Sequence, residues 1–249
     1  MSAGPDPTRS ELPVLTLANV HKVYRTTEVE TAALTDVSLT VRAGEFLSVS
    51  GPSGCGKSTL LAIMGLLEPP TAGRVVILGA EAAGLDAAGR ARMRCERIGF
   101  VFQSFNLIDE LDILENVALP LRFRGFPRAE RSAVAADALA KVGLAHRMRH
   151  HPSQLSGGQQ QRAAVARAIV GRPALVLADE PTGNLDSANG AAIMDLLATL
   201  HREGTTIVLV THDPRYAGYP SREVSMQDGM LRHDEAGGSA TKASSGAGR

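Results

Sequence analysis

The run Gly51-Pro52-Ser53-Gly54-Cys55-Gly56-Lys57-Ser58-Thr59 carries the spacing G-x-x-x-x-G-K-S. The chemistry it suits is a phosphate cradle. Glycines let successive backbone N–H groups converge on phosphate oxygens with no Cβ in the way, and the N-terminus of a following helix adds partial positive charge. Lys57 is expected to reach the β- and γ-phosphates of a nucleotide, and the Ser58 hydroxyl to ligate Mg2+. Cys55 reads as a small residue tolerated where the backbone does the binding, because thiol reactivity needs exposure and a lowered pKa. The loop alone leaves the reaction open.

Three further clusters could act on a bound phosphate. Ala174-Leu175-Val176-Leu177-Ala178 leads into Asp179 and Glu180, adjacent carboxylates followed by Pro181. Asp179 suits Mg2+ through water and Glu180 a base that orients an attacking water. A second apolar run ends at Thr211-His212-Asp213, where the His212 imidazole could hydrogen-bond a γ-phosphate. Leu155-Ser156-Gly157-Gly158-Gln159 opens a helical stretch with a Ser and two glycines, a second anion site whose N–H groups point outward.

These residues need a scaffold. Short apolar and β-branched runs predict strands at 14–20, 37–41, 46–49, 74–78, 98–102, 174–177 and 206–210. Helical stretches at 57–67, 112–121, 128–142, 158–170 and 188–202 separate them. The alternation argues for an α/β layer structure with a mostly parallel sheet, whose strand ends face a ligand. Residues 107–155 hold helices and no strand, and read as a helical subdomain inserted into the α/β lobe. Residues 1–12 and 234–249 lack apolar periodicity and are expected to be disordered, leaving one domain over 14–233.

Composition narrows the class. Lys plus Arg and Asp plus Glu are equal at 26 each, so no basic field draws the chain to nucleic acid. Two cysteines build neither a disulfide framework nor a four-thiolate zinc site, and a reducing compartment fits. With no run of about 18 apolar residues and a polar start, the chain is expected to be neither secreted nor membrane-spanning. His146, His150 and His151 alternate with Arg147 and Arg149, which suits a solvated basic face better than a metal site.

The cradle, then Leu155–Gln159, then Asp179-Glu180 and His212, in this order, resemble the ATPase subunits of ABC transporters over about residues 15–231. The resemblance implies a P-loop NTPase core with an antiparallel β region near the N-terminus, ATP and Mg2+ as ligands, and ATP hydrolysis. It implies that Tyr24 stacks on adenine, that Gln103 touches Mg2+ and senses a partner, that Asn184-Leu185-Asp186 is the D-loop, and that His212 is the switch histidine. It implies a head-to-tail homodimer in which Leu155, Ser156, Gly157, Gly158 and Gln159 of one subunit close over the γ-phosphate in the other's cradle. The stretches Gln103-Ser104-Phe105-Asn106-Leu107 and Gln159-Gln160-Gln161-Arg162 resemble the bacterial branch serving macrolide-exporter and lipoprotein-releasing permeases. That branch implies a separate permease with a large extracytoplasmic domain, docking near Gln103–Leu107 with Phe105 and Leu107 in contact, at the cytoplasmic face of the inner membrane. The alternative is a cassette of the cell-division type that signals through its membrane partner without transporting a solute. A nucleoside kinase or GTPase would have no use for Leu155–Gln159, and the Asn-Lys-x-Asp pattern of GTP sites is absent.

Overall fold

The computed structural model of the chain describes residues 13–25 and 29–236. The predicted tail at 1–12, and residues 237–249 of the one predicted at 234–249, lie outside them. Strands β1 (Pro13–Arg25), β2 (Glu30–Arg42), β4 (Ala72–Ile77) and β5 (Ala80–Glu81) form one antiparallel sheet in the order β2-β1-β4-β5. Strands β3 (Phe46–Ser50), β6 (Ile98–Phe102), β7 (Leu175–Asp179), β8 (Ile207–Val210), β9 (Arg222–Gln227) and β10 (Met230–Ala236) form the second, ordered β10-β9-β3-β8-β7-β6. All neighbours in this second sheet run parallel except β10, which returns antiparallel on β9. The helices are α1 (Lys57–Met64), α2 (Ala87–Arg97), α3 (Ile113–Phe123), α4 (Arg128–Lys141), α5 (Gly157–Ile169) and α6 (Ser187–Arg202).

The central strands are apolar on both faces because each face meets a different core. On β8, Ile207 and Leu209 join the core built with α3, α4, α5 and α6, whereas Val208 and Val210 join the core shared with α1 and the antiparallel sheet. On β7, Val176 and Ala178 face the first core, Leu175 and Leu177 the second. This two-residue alternation within an unbroken apolar run is what burial on both faces requires. Ile113 and Val117 are fully buried in the first core, so they fill the helical lobe and leave no surface.

The helix starts are specified locally. Asp112 caps α3 and Ser156 caps α5, each in a reciprocal capping box, with Glu115 and Gln159 respectively. Asp186 caps α6 by accepting from Asn189 N at 2.8 Å. Along α5, Ala163, Ala164, Ala166 and Ala168 are small and buried, and they bring the helix backbone close to β6. A Cβ on Gly99 would lie 2.2 Å from the Ala168 carbonyl oxygen, so only glycine permits this approach.

Several elements lay beyond the sequence pattern. Helix α2 has no buried residue, so no apolar stripe marks it. Strands β9 and β10 are mostly polar because each is covered on one side only; Val224 and Met226 alone of β9 are fully buried. Strand β10 runs on through Asp234 to Ala236, past the boundary expected at 234, and Asp234 accepts two hydrogen bonds from Arg222, which also bonds Glu45. Among the described residues no helix is long and apolar enough to cross a membrane.

Candidate nucleotide site and an adjacent groove

The cradle leaves β3 at Ser50 and enters α1 at Lys57. Gly51 adopts φ 148°, and a Cβ there would sit 2.2 Å from the Met226 carbonyl oxygen of β9. Gly56 adopts φ 103° as the N-cap of α1, where a Cβ would meet the Ala33 carbonyl oxygen at 2.5 Å. Both glycines are therefore required by φ and by space together. No side chain caps α1, so its first N–H groups are left for an anion. The Lys57 ammonium is buried and donates to the carbonyls of Gly51 at 2.8 Å and Pro52 at 2.7 Å, bracing the loop. Cys55 is buried with its sulfur 3.8 Å from Lys57 Nζ, and it packs the inner side of the turn.

Next to the cradle, β7 lies between β6 and β8, so Asp179 pairs with Phe102 on one side and Val210 on the other. Burial first, then the neighbouring Glu180 charge, raises the Asp179 pKa, and the Lys57 charge opposes both. Glu180 turns out of the strand at φ 45°, a left-handed conformation unusual for a glutamate, while its N–H donates to Val210 O at 2.9 Å. That turn aims the side chain at His212, whose Nδ1 lies 2.6 Å from Glu180 Oε1. The imidazole is thereby oriented by a carboxylate, with Nε2 left for a second partner. Of the pair, Glu180 is mostly buried and His212 is exposed.

Gln103 follows β6 and exchanges two hydrogen bonds with Asn184: its Nε2 donates to Asn184 Oδ1, and Asn184 Nδ2 donates to the Gln103 carbonyl, both at 3.1 Å. Gly183 makes room, since a Cβ there would lie 2.7 Å from Gln103 Nε2. The following Phe105 and Asn106 are both left-handed, at φ 58° and 51°, and their carbonyls accept from Arg167 of α5. Burial lowers the pKa of that arginine, whose partners are carbonyls and not carboxylates.

Tyr24 stands on β1 and is 39% exposed. Its hydroxyl donates to Glu68 Oε2 at 2.7 Å, and the Lys22 ammonium lies 4.9 Å from the ring centroid while pairing with the same glutamate at 3.1 Å. Leu155 is buried and Ser156 exposed at the start of α5. Gly158 packs so tightly on α6 that a Cβ would lie 2.2 Å from Asn189 Oδ1. No hydrogen bond or ion pair links residues 155–159 to residues 51–59 among the described residues, and Ser156 at this second helix start is exposed. Asp186 caps α6 beside it, and hydrogen bonds from the Asn189 backbone and side chain hold its pKa low.

In the histidine and arginine cluster His146, Arg149 and His151 are exposed, as a solvated basic face requires. Arg147 Nη1 lies 2.8 Å from His150 Nε2, and His151 Nδ1 lies 3.2 Å from the Asp109 carbonyl oxygen.

A groove of about 770 Å3 opens beside the Gln103 segment, between α2, the edge strand β6 and the end of α3. Phe100 and Phe102 stack at 5.4 Å in its wall, with Phe123 and Leu67 exposed at its rim. Phe102 and Asn106 line it; Phe105 and Leu107, the side chains expected to meet a partner, do not. Leu107 packs on the core of the helical lobe, and Phe105 lies against the start of α5, where a Cβ on Gly157 would approach its ring at 3.6 Å. The sequence offered no signal for the groove, because one of its walls is the unforeseen α2.

The ABC transporter family model matches residues 34–183. A lipoprotein-releasing system ATP-binding protein, LolD, of Shewanella sp. strain MR-4 is 46% identical over 88% of this chain and 95% of its own length. A macrolide export ATP-binding/permease protein, MacB, of Chlorobium luteolum is 48% identical over 90% of this chain, which spans about a third (33%) of that relative's length. A solved ATP-binding cassette, dimeric and in a post-hydrolysis state with ADP and Pi, is 44% identical and superposes with a TM-score of 0.82 over 89% of this chain and 98% of its own. A cradle, an acidic strand end and a paired histidine at the C-terminal ends of neighbouring strands of one sheet, within a sequence that matches along nearly its whole described length, identify this chain as a member of the ABC transporter family of ATP-binding subunits.

Proposed function

We propose that the chain hydrolyses ATP in a homodimer with two shared sites and so drives a separate membrane permease of the macrolide-export or lipoprotein-releasing type. The observation that carries this reading is a second anion site at Ser156–Gln159, with Ser156 exposed, on a chain whose own cradle lies elsewhere. In a head-to-tail pair each such helix start would close over the γ-phosphate held by the other subunit's Gly51–Thr59 loop. The dimeric state of the solved cassette with ADP and Pi supports the same arrangement.

Within each site Lys57 would hold the β- and γ-phosphates and Tyr24 would offer a ring face to adenine. Ser58, Gln103 and Asp179 supply the hard oxygen donors that suit Mg2+. The fit is physical: Asp179 is a desolvated carboxylate beside a second carboxylate, and a divalent cation offsets both penalties. When bound, the ion neutralises phosphate charge. Glu180 would orient and deprotonate the attacking water, and His212, fixed by its 2.6 Å contact with Glu180, would contact the γ-phosphate.

The groove beside Gln103 is where a short permease helix would dock, with its apolar face on Phe102, Leu119 and Phe123. The subunit would then work at the cytoplasmic face of the inner membrane. Size-exclusion chromatography with light scattering on Glu180→Gln tests the composite site. A shift from monomer to dimer only with ATP and Mg2+ is expected, and a mass indifferent to nucleotide would refute it.

A further inference from the structure

Gln161 lies on α5, five residues after the cap Ser156, and is fully buried. Its Nε2 donates to the Phe102 carbonyl at 3.1 Å and to the Pro181 carbonyl at 2.6 Å. Two carbonyls can be bridged only by the NH2 end of the amide, so its orientation is forced. The other end, Oε1, is buried and has no hydrogen-bond partner among the described residues.

The two carbonyls are informative by position. Phe102 is the last residue of β6 and immediately precedes Gln103. Pro181 immediately follows Glu180. One side chain therefore clamps the backbone on the inner flank of both groups that serve this chain's own ATP, and it does so from the helix whose N-terminus serves the other subunit's ATP. Within α5 the path from Ser156 to Gln161 is continuous hydrogen-bonded helix, which transmits displacement without absorbing it.

We propose that Gln161 is a positioning residue that couples the two ATP sites of the dimer, carrying the closure of α5 over the partner's γ-phosphate to Gln103 and Glu180 of its own site. This rests on the composite-site reading above. The flanking contacts agree in direction: Gln103 and Asn184 are cross-bonded, and Gly158 abuts Asn189, so the segments on either side of Glu180 and the start of α6 move with α5. Gln161 touches no nucleotide; its effect is cooperativity.

The test is ATP hydrolysis by the full chain as a function of ATP concentration, in wild type, Gln161→Met and Gln161→Glu, with thermal melts in parallel. Two coupled sites give a Hill coefficient approaching about 2, and independent sites about 1. Methionine keeps the volume and removes both donors, so the coefficient is expected to fall to about 1 while nucleotide binding to the cradle persists. An ionised glutamate likewise cannot donate, whereas its protonated form has one O–H and can hold one of the two carbonyls, so Gln161→Glu is expected to regain part of the cooperativity as the pH is lowered while wild type shows no such recovery. If Gln161→Met fails to fold, that pH response carries the test, and a coefficient in Gln161→Glu that matches wild type at every pH overturns the proposal. A Gln161→Met protein that keeps a coefficient near 2 overturns it too, and leaves the composite site standing. So does a wild type that dimerises with ATP yet titrates at about 1. A wild type at about 1 whose Glu180→Gln variant never dimerises instead refutes the composite site itself.

Discussion

Replacing Gly51 and Gly54 by alanine, one at a time, separates backbone strain from steric exclusion in the cradle. Gly54 adopts φ 79° with nothing within 4 Å of the place a Cβ would take, so Gly54→Ala meets only the left-handed penalty of about 1–2 kcal/mol. Gly51 adopts φ 148°, a conformation whose cost for alanine is about 1–3 kcal/mol, and its Cβ would also press on Met226 O at 2.2 Å and Met226 C at 3.2 Å. Those are backbone atoms of β9, which is held parallel to β3 through Val49–Val224 and Ser50–Ser225, so they cannot retreat as a flexible side chain would. Overpacking of this kind adds about 1–3 kcal/mol. The loop can escape only by abandoning the geometry that converges its N–H groups, and the difference then appears in ATP affinity at about tenfold per 1.4 kcal/mol. Gly54→Ala should bind within about tenfold of wild type, and Gly51→Ala about tenfold or more below Gly54→Ala. Equilibrium titration with a fluorescent ATP analogue, alongside melting temperatures, measures both. Affinities for the two variants within about threefold of each other, at equal melting temperature, would refute the steric reasoning.

Asn116 is fully buried and its amide donates to the carbonyls of Ile108, Leu111 and Asp112 while accepting from Ile108 N at 2.7 Å. Asn116→Ala orphans those groups and should cost about 2–4 kcal/mol, read as a melting temperature roughly 5–15 °C lower. Asp179→Asn should melt higher than wild type at neutral pH and lose Mg2+-dependent hydrolysis. Burial and the Glu180 charge hold the folded-state pKa of Asp179 above the ordinary aspartate value, so above that value the unfolded chain ionises more readily. Wild-type stability therefore falls as pH rises, and asparagine removes that loss. The gap between variant and wild-type melting temperatures should close on acidification, and a gap independent of pH would contradict the assignment. Phe123 is 78% exposed at the groove rim, so Phe123→Asp should keep the melting temperature and reduce co-purification with the cognate permease.

What the sequence determined by itself is the local chemistry. Gly51–Thr59 needs its own backbone and the helix that follows, the Ser156–Gln159 and Asp112–Glu115 capping boxes close within four residues, and the apolar runs of β7 and β8 declare burial on both faces. Each of these interactions lies within a few positions along the chain, so residue type and spacing are enough to read them. The tertiary structure alone decided what depends on distant residues meeting. The contact of His212 with Glu180 spans 32 positions, the Gln103–Asn184 exchange 81, and the Gln161 clamp reaches 59 positions back to Phe102. No periodicity encodes such pairings. Gly51 is legible as a cradle glycine, but that a β9 carbonyl forbids any side chain there is not, because β9 is a polar strand with two buried residues. The groove went unread for a related reason: α2 has no fully buried residue, and Phe105 and Leu107 lie outside the groove in a segment whose left-handed bend is held by Arg167 across the fold. Burial on one side and contact across the sheet are properties of the packed chain.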